Sequence, residues 1–313
     1  MQYFPVGTVY YYCIITVSME QCFSFWLRRF NMNITEVKRI SSLYGLHPNK
    51  KLGQNFLIDE GIRRKITQAV NPCADDRILE IGPGLGSLTE LLAVDAGRVT
   101  AVEIDAGLYR YLVSRFGDSG KVNLIHGDFL KTPLTDEFNK VVSNLPYYCA
   151  SEILFRILSD LAGAGDVFVM LQQEMAERII AAPGTKSYGA LTISLNYYCF
   201  TKKLFRVPSG CFHPRPDVSS LFIKLERKKE LPLSRERLDL FHEVVRSAFW
   251  GRRKTLLTSL SQSPHLTYAR DVISGVLSFL GMSTSVRGED LAPEDYVAIT
   301  EALYAQAGDD ARS

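Results

Sequence analysis

Four short tracts carry residue types suited to holding a nucleoside. The run Glu80-Ile81-Gly82-Pro83-Gly84-Leu85-Gly86 follows an apolar stretch and leads into helical spacing, so its glycines fall in a strand-to-helix turn, where a backbone without Cβ approaches a ligand closely and takes positive φ. The spacing is G-x-G-x-G, which a plain tight turn also satisfies. Glu103, in Val102-Glu103-Ile104-Asp105, comes seventeen residues after Gly86, where a carboxylate accepts hydrogen bonds from both hydroxyls of a ribose. Asp105 is equally suited to cap the helix that follows. Gly127-Asp128-Phe129 sets a further acid where an adenine amino group donates, with an apolar neighbour for the ring. Each acid taken singly reads as a cap or turn residue. Successive strand ends presenting Gly82, Glu103 and Asp128 describe a nucleoside pocket. A fourth strand end carries Asn144-Leu145-Pro146-Tyr147.

The elements that must position these residues alternate as in a parallel sheet with crossover helices. Strands are expected at Arg77–Ile81, Arg98–Ile104, Lys121–Ile125, Lys140–Ser143 and Val167–Leu171, with helices over Ser87–Val94, Leu108–Phe116 and Glu152–Leu161. The fold class is therefore α/β, a doubly wound sheet, and Ser219–Leu225 is expected as another strand at the sheet edge. Lys228 to Pro232 reads as a linker. Helical spacing with few strand signals then covers Arg235–Phe249, Arg253–Ser261, Ala269–Leu280 and Pro293–Ala305, which implies a small helical second domain. The expected division is an N-terminal extension over 1–31, an α/β domain over 32–228 and a helical domain over 229–313.

Composition supports an ordinary globular chain: of 313 residues, 46% are hydrophobic and 22% charged. The net charge of +2 is unevenly placed. Lys202 to Lys254 holds fourteen Lys and Arg against six Asp and Glu, a local +8, which leaves 22 basic against 28 acidic residues elsewhere. A basic segment on an acidic protein suits a phosphate-rich partner or a solvated face. The 6 cysteines are scattered without C-x-x-C spacing, so they read as reduced residues of a cytoplasmic protein, with no metal site. The uncharged stretch Tyr3–Met19 lacks the flanks of a signal peptide and is short and interrupted for a membrane span. Met32 opens a more usual polar start, and residues 1–31 are expected to be a mis-assigned translation start or a disordered extension, with a membrane anchor as the lesser reading. No membrane association is expected, and the chain is expected to be a monomer.

Asn144-Leu145-Pro146-Tyr147 resembles the asparagine-proline-aromatic tetrapeptide of amino-methyltransferases. An exocyclic adenine amine is a poor nucleophile because its lone pair is delocalised into the ring. Acceptors on its hydrogens, the Asn144 side-chain oxygen and the Leu145 carbonyl, localise that pair and aim it. Pro146 fixes the turn, and Tyr147 offers a ring on which an extruded base stacks. Over roughly Lys50 to Leu260 the chain resembles the ribosomal RNA adenine dimethyltransferase family, and within it the housekeeping small-subunit branch. Lys51-Leu52-Gly53-Gln54-Asn55-Phe56-Leu57 is similar to its opening motif, and Phe212-His213-Pro214-Arg215-Pro216-Asp217-Val218 to its second aromatic motif.

The resemblance implies a Rossmann-like class I methyltransferase sheet with a small helical C-terminal domain, S-adenosylmethionine as methyl donor, no metal, and small-subunit ribosomal RNA as partner. It implies dimethylation of two adjacent adenosines in a 3′-terminal hairpin loop, coupled to ribosome biogenesis. By the same resemblance Asn55, Leu57, Gly82, Glu103, Asp128 and Asn144 are cofactor-binding positions. Asn144, Leu145, Pro146, Tyr147 and Phe212 serve the target base, with Phe212 clamping it opposite Tyr147. Arg252, Arg253 and Lys254, in Gly251-Arg252-Arg253-Lys254-Thr255, are suited to phosphate contacts. His213 reads as structural rather than as a general base. The extension and Cys149 depart from the family pattern. Large-subunit RNA or DNA adenine methylation, and a non-catalytic role in ribosome assembly, are the alternatives.

Overall fold

Strand ends that converge on a ligand require strands in register, and the sheet supplies that register. The computed structural model describes residues 32–46, 54–251 and 253–310. The expected extension over 1–31, Lys51-Leu52-Gly53 of the opening tract and Arg252 lie outside the described residues.

Helix α1 (Ile34–Tyr44) starts at Asn33, whose side chain accepts from the Glu36 amide at 3.0 Å, and stops at Gly45 with φ 62°. A short strand, β1 (Phe56–Leu57), precedes α2 (Glu60–Val70), which Asp59 caps through the Ile62 amide at 2.8 Å. The alternating part follows as β2 (Arg77–Ile81), α3 (Thr89–Asp95), β3 (Arg98–Glu103), α4 (Ala106–Phe116), β4 (Val122–His126), β5 (Lys140–Asn144), α5 (Ala150–Asp160) and β6 (Asp166–Gln172). Helices α6 (Gln173–Ile179) and α7 (Ala190–Tyr198) lead into β7 (Cys199–Val207), β8 (Phe212–His213) and β9 (Ser220–Arg227). Four helices close the described chain: α8 (Arg235–Ala248), α9 (Leu256–Gln262), α10 (Arg270–Phe279) and α11 (Pro293–Asp310).

The seven-stranded sheet runs β4-β3-β2-β5-β6-β9-β7. Neighbours from β4 to β6 are parallel, whereas β9 is antiparallel to both β6 and β7. The expected strand at Ser219–Leu225 is present, but its place at the edge is corrected: β9 is interior, and the edge belongs to β7. Residues Ser220 to Phe222 and Ile223 are buried, as an interior strand requires, while Lys202, Lys203 and Arg206 of β7 are exposed. An edge tolerates such charges and uses them to discourage pairing with other chains. Part of the basic segment is thus the outer strand of the sheet.

Helix α7, which sequence periodicity did not single out, joins the sheet to the C-terminal helices. Its apolar length is buried at Ile193, Leu195, Tyr197 and Tyr198. The Tyr197 ring lies 4.8 Å from that of Phe241 in α8, and the Tyr188 hydroxyl donates to the Leu291 carbonyl at 2.7 Å. One apolar cluster therefore runs from Leu79 and Val141 in the sheet through Ile193 to Phe241, Ile273 and Leu303. The described chain from Met32 onward forms one compact unit.

Candidate active site

The register levels the carboxyl ends of the central strands. Ile81 stands opposite both Val102 and Ser143, and Glu103 stands opposite His126. The Ser143 hydroxyl donates to the Ile81 carbonyl at 2.6 Å, and the Gly82 amide donates to Val102 at 3.0 Å. Gly82, Glu103 and Asn144 are each the residue at or just beyond that line, so one cleft receives all three. Ligands in open α/β sheets bind at this end of the strands.

The cleft encloses about 750 Å³ of empty space, its open mouth included. Of the expected cofactor positions, Asn55, Leu57, Gly82, Glu103 and Asn144 line it, as does Pro146. Gly82 and Gly86 have φ 67° and 70°, values that a side chain makes strained. A Cβ on Gly82 would meet nothing within 4 Å, so the absence of a side chain keeps space open for a ligand. A Cβ on Gly86 would stand 2.6 Å from Phe116 Cε2, so there the glycine serves the packing of α4.

Glu103, 3% exposed, accepts from the Gly84 amide at 3.1 Å and from the Asp105 amide at 2.9 Å. Burial pushes its carboxyl up to about 7 against the pull of those donors. Burial also pushes Glu80 up to about 7, and the nearby Glu103 charge adds to the rise. The choice between Glu103 and Asp105 is resolved by hydrogen bonds. Asp105 caps α4, accepting from Gly107 at 2.8 Å and Leu108 at 3.0 Å, which leaves Glu103 to line the cleft. Asp128 does not line it. Its carboxylate accepts from the Leu130 amide at 3.0 Å in the turn after β4, within electrostatic reach of Tyr148.

The tetrapeptide divides. Asn144 Nδ2 donates to the Asn55 carbonyl at 3.2 Å, which turns the amide oxygen away from Asn55. Leu145 is buried, its amide bonded to Met170 of β6 at 3.1 Å. Tyr147 is half-buried beside Ser220, and that burial raises its hydroxyl pKa. The next residue, Tyr148, is 59% exposed and forms a wall of the cleft. Phe212 is buried in β8, which pairs antiparallel with β1 so that Leu57 faces Phe212 and Phe56 faces His213. The His213–Pro214 bond is cis.

Residues 45–300 match the family model described as ribosomal RNA adenine dimethylase. The chain belongs to this family. A small-subunit ribosomal RNA methyltransferase A from Clostridium perfringens is 38% identical over 87% of this chain and 98% of its own length. One from Geobacillus thermodenitrificans is 39% identical over 85% of this chain and 94% of its own. A dimethyladenosine transferase from Plasmodium falciparum has the same fold with a TM-score of 0.69, at 26% identity, over 77% of this chain and 94% of that one. The 23S rRNA methyltransferase ErmE aligns with a TM-score of 0.62, also at 26% identity, over 80% of this chain and 99% of that one. The expected Rossmann-like class I methyltransferase sheet is therefore the fold of this family member.

Sequence reasoning missed some of the dimethylase cleft. Ile104 and Leu108 supply an apolar wall after Glu103, and Tyr148 supplies an aromatic one. The tyrosine pair was visible as Tyr147-Tyr148, but which ring faces the cleft is set by the turn into α5. Arg253 and Lys254 are exposed ahead of α9, with Lys254 Nζ donating to Gln262 at 2.7 Å. Among the described residues no group of His, Cys, Asp and Glu has metal-binding geometry, and no helix is long and apolar enough to cross a membrane.

Proposed function

We propose that this dimethylase transfers methyl groups from S-adenosylmethionine to the N6 amines of two adjacent adenosines in the 3′-terminal hairpin loop of small-subunit ribosomal RNA, as a step of ribosome biogenesis in the cytoplasm. The observation that carries the reading is the meeting of Asn144 with Gly82 and Glu103 in one cleft, in a chain of this family.

The residues fit a nucleoside cofactor. The open space at Gly82 admits a ligand against the backbone, Glu103 is placed for the ribose hydroxyls, and Ile104 and Leu108 offer apolar contact to a base. Asn55 and Leu57 would hold the methionine end; Asp128 stands outside the cleft lining, in the turn after β4, and would take the adenine amine only from that turn. When bound, the cofactor supplies an electrophilic methyl on a sulfonium; its transfer breaks the S–C bond, forms an N–C bond and sends one amine proton to water. Asn144 Oδ1 and the Leu145 carbonyl accept from the target amine and localise its lone pair. Pro146 fixes their geometry. Tyr147 and Phe212 hold the extruded base, and in the second methylation the one remaining amine hydrogen is accepted by one of the two oxygens. Catalysis rests on positioning rather than on an acid, a base or a metal.

In this reading residues 32–228 are the catalytic domain and 229–313 a helical RNA-binding domain, where Arg252, Arg253 and Lys254 meet phosphates. The enzyme acts as a monomer. Transfer of labelled methyl to undermethylated small ribosomal subunits, followed by nucleoside analysis, tests the proposal. Dimethyladenosine confined to small-subunit RNA is expected. Label in large-subunit RNA or in DNA instead would overturn the substrate, and no label anywhere would favour an assembly role without catalysis.

A further inference from the structure

Three charged side chains that do not line the cleft are buried against its glycine turn. Arg63 of α2, Glu90 of α3 and Arg115 of α4 are 1%, 2% and 6% exposed. Glu90 Oε2 accepts from Arg63 Nη2 at 2.9 Å and from Arg115 Nη2 at 2.8 Å. Each arginine also reaches the turn: Arg63 Nε donates to the Ser87 carbonyl at 2.9 Å, and Arg115 Nη1 to the Leu85 carbonyl at 3.0 Å. Leu85 and Ser87 line the cleft. Glu60 holds a further Arg63 nitrogen at 2.7 Å, and the Tyr111 hydroxyl a further Arg115 contact at 3.1 Å, so both forks are fixed in orientation.

Stability alone does not account for such a cluster. Buried ion triads replaced by apolar side chains of similar volume commonly fold as well or better. Apolar replacements cannot, however, donate to the carbonyls of residues 85 and 87. Burial pushes the Glu90 carboxyl up while the Arg115 and Arg63 guanidiniums pull it back, so its charge is tied to theirs.

We infer that Arg63, Glu90 and Arg115 are positioning residues for the cofactor: Glu90 orients two guanidinium forks, and the forks hold the Leu85 and Ser87 carbonyls so that the turn keeps the shape a nucleoside requires. The inference rests on the reading of the cleft as the S-adenosylmethionine site. It ties affinity for the cofactor to side chains that never touch it.

The test is calorimetric titration of the full chain with S-adenosylhomocysteine, alongside thermal unfolding and steady-state kinetics. The variants are Arg115→Met and the triple Arg63→Met/Glu90→Leu/Arg115→Met. The triple variant is expected to fold but to melt somewhat below the parent, because the Leu85 and Ser87 carbonyls lose their donors, and to bind roughly tenfold more weakly, the scale seen in metal sites when a group behind the ligands is removed. Its KM for S-adenosylmethionine should rise by a similar factor, with kcat at saturation changing little. Parent affinity in the folded triple variant would overturn the inference and leave a structural ion cluster. If the triple variant does not fold, parent affinity in Arg115→Met below its melting temperature overturns it equally. Failure of the parent protein to bind S-adenosylhomocysteine would overturn the reading of the cleft itself, and the inference with it.

Discussion

Asn144 Nδ2 donates to the Asn55 carbonyl at 3.2 Å across 89 positions of sequence, joining the end of β5 to the segment that leads into β1. The bond orients the amide of the residue proposed to accept from the target amine, so rotation of that side chain is restricted before any substrate arrives.

Replacing Asn144 by Ala removes the acceptor and that restraint. Turnover should fall by about 10² to 10³, as when one preorganised hydrogen-bonding group is lost from a transition-state site. Cofactor affinity, held mainly by Gly82 and Glu103, should change only a few-fold. Single-turnover kinetics with a parallel binding titration measures both, and equal losses would remove the assigned role.

Glu103 predicts a proton linkage. Burial pushes its carboxyl up to about 7, and ribose hydroxyls donate best to the ionised form. Cofactor binding below that pH should therefore release a proton, and affinity should rise with pH up to about 7 and then level off. Titrations in buffers of different ionisation enthalpy count the proton directly. Uptake instead of release would contradict the role of Glu103 as acceptor.

Folding stability should show the opposite trend. Glu80 is raised from 4.5 to about 7, so between those values the folded state binds more protons than the unfolded one, and stability falls as pH rises through the window. Glu80→Gln should flatten this dependence by up to roughly 3 kcal/mol across the window. Denaturant melts at several pH values provide the comparison, and an unchanged slope would show that Glu80 is ionised throughout.

The turn glycines should separate by phenotype. Gly86→Ala drives a methyl to 2.6 Å from Phe116 Cε2 at φ 70°, and a loss of about 2 kcal/mol or more is expected from strain and clash together. Gly82→Ala shares the strain but meets no neighbour within 4 Å. Its added methyl should weaken cofactor binding more than Gly86→Ala does, while lowering the melting temperature less.

The two tyrosines should divide by substrate. Tyr148, a wall of the cleft, should raise the KM for the cofactor when replaced by Ala. Tyr147→Ala should instead lower kcat/KM for RNA, by the roughly 1 to 3 kcal/mol that a base–aromatic stack supplies. The reverse assignment in steady-state kinetics would exchange their roles.

How legible was this molecule in its sequence? The strands β2 to β6 were expected within about two residues at each end, a margin normal for such boundaries. Each is a short apolar run closed by a polar or glycine residue, and that pattern is local. Because parallel strands pair in register, marking the strand ends also marked Gly82, Glu103, Asp128 and Asn144 as neighbours, of which Asp128, in the turn after β4, does not line the cleft. The tract Asn144-Leu145-Pro146-Tyr147, together with the tracts Lys51 to Leu57 and Phe212 to Val218, carried the resemblance to the family, whose model matches residues 45–300.

Other features depend on contacts between distant parts of the chain, which periodicity does not encode. Strand β7 was hidden because its Lys202, Lys203 and Arg206 read as a basic patch; only the pairing with β9 makes it the edge. Phe212 reaches Leu57 through the β1–β8 ladder, and Arg63 reaches Glu90 across two helices. The cap at Asp105 freed Glu103 for the cleft, and the turn into α5 chose Tyr148 over Tyr147 as its wall. The sequence by itself determined which strands end in reactive residues, since burial and alternation are written along the chain. The tertiary structure decided which of those side chains share a cavity and what holds them there, because hydrogen bonds and ion pairs between remote segments exist only once the sheet has assembled.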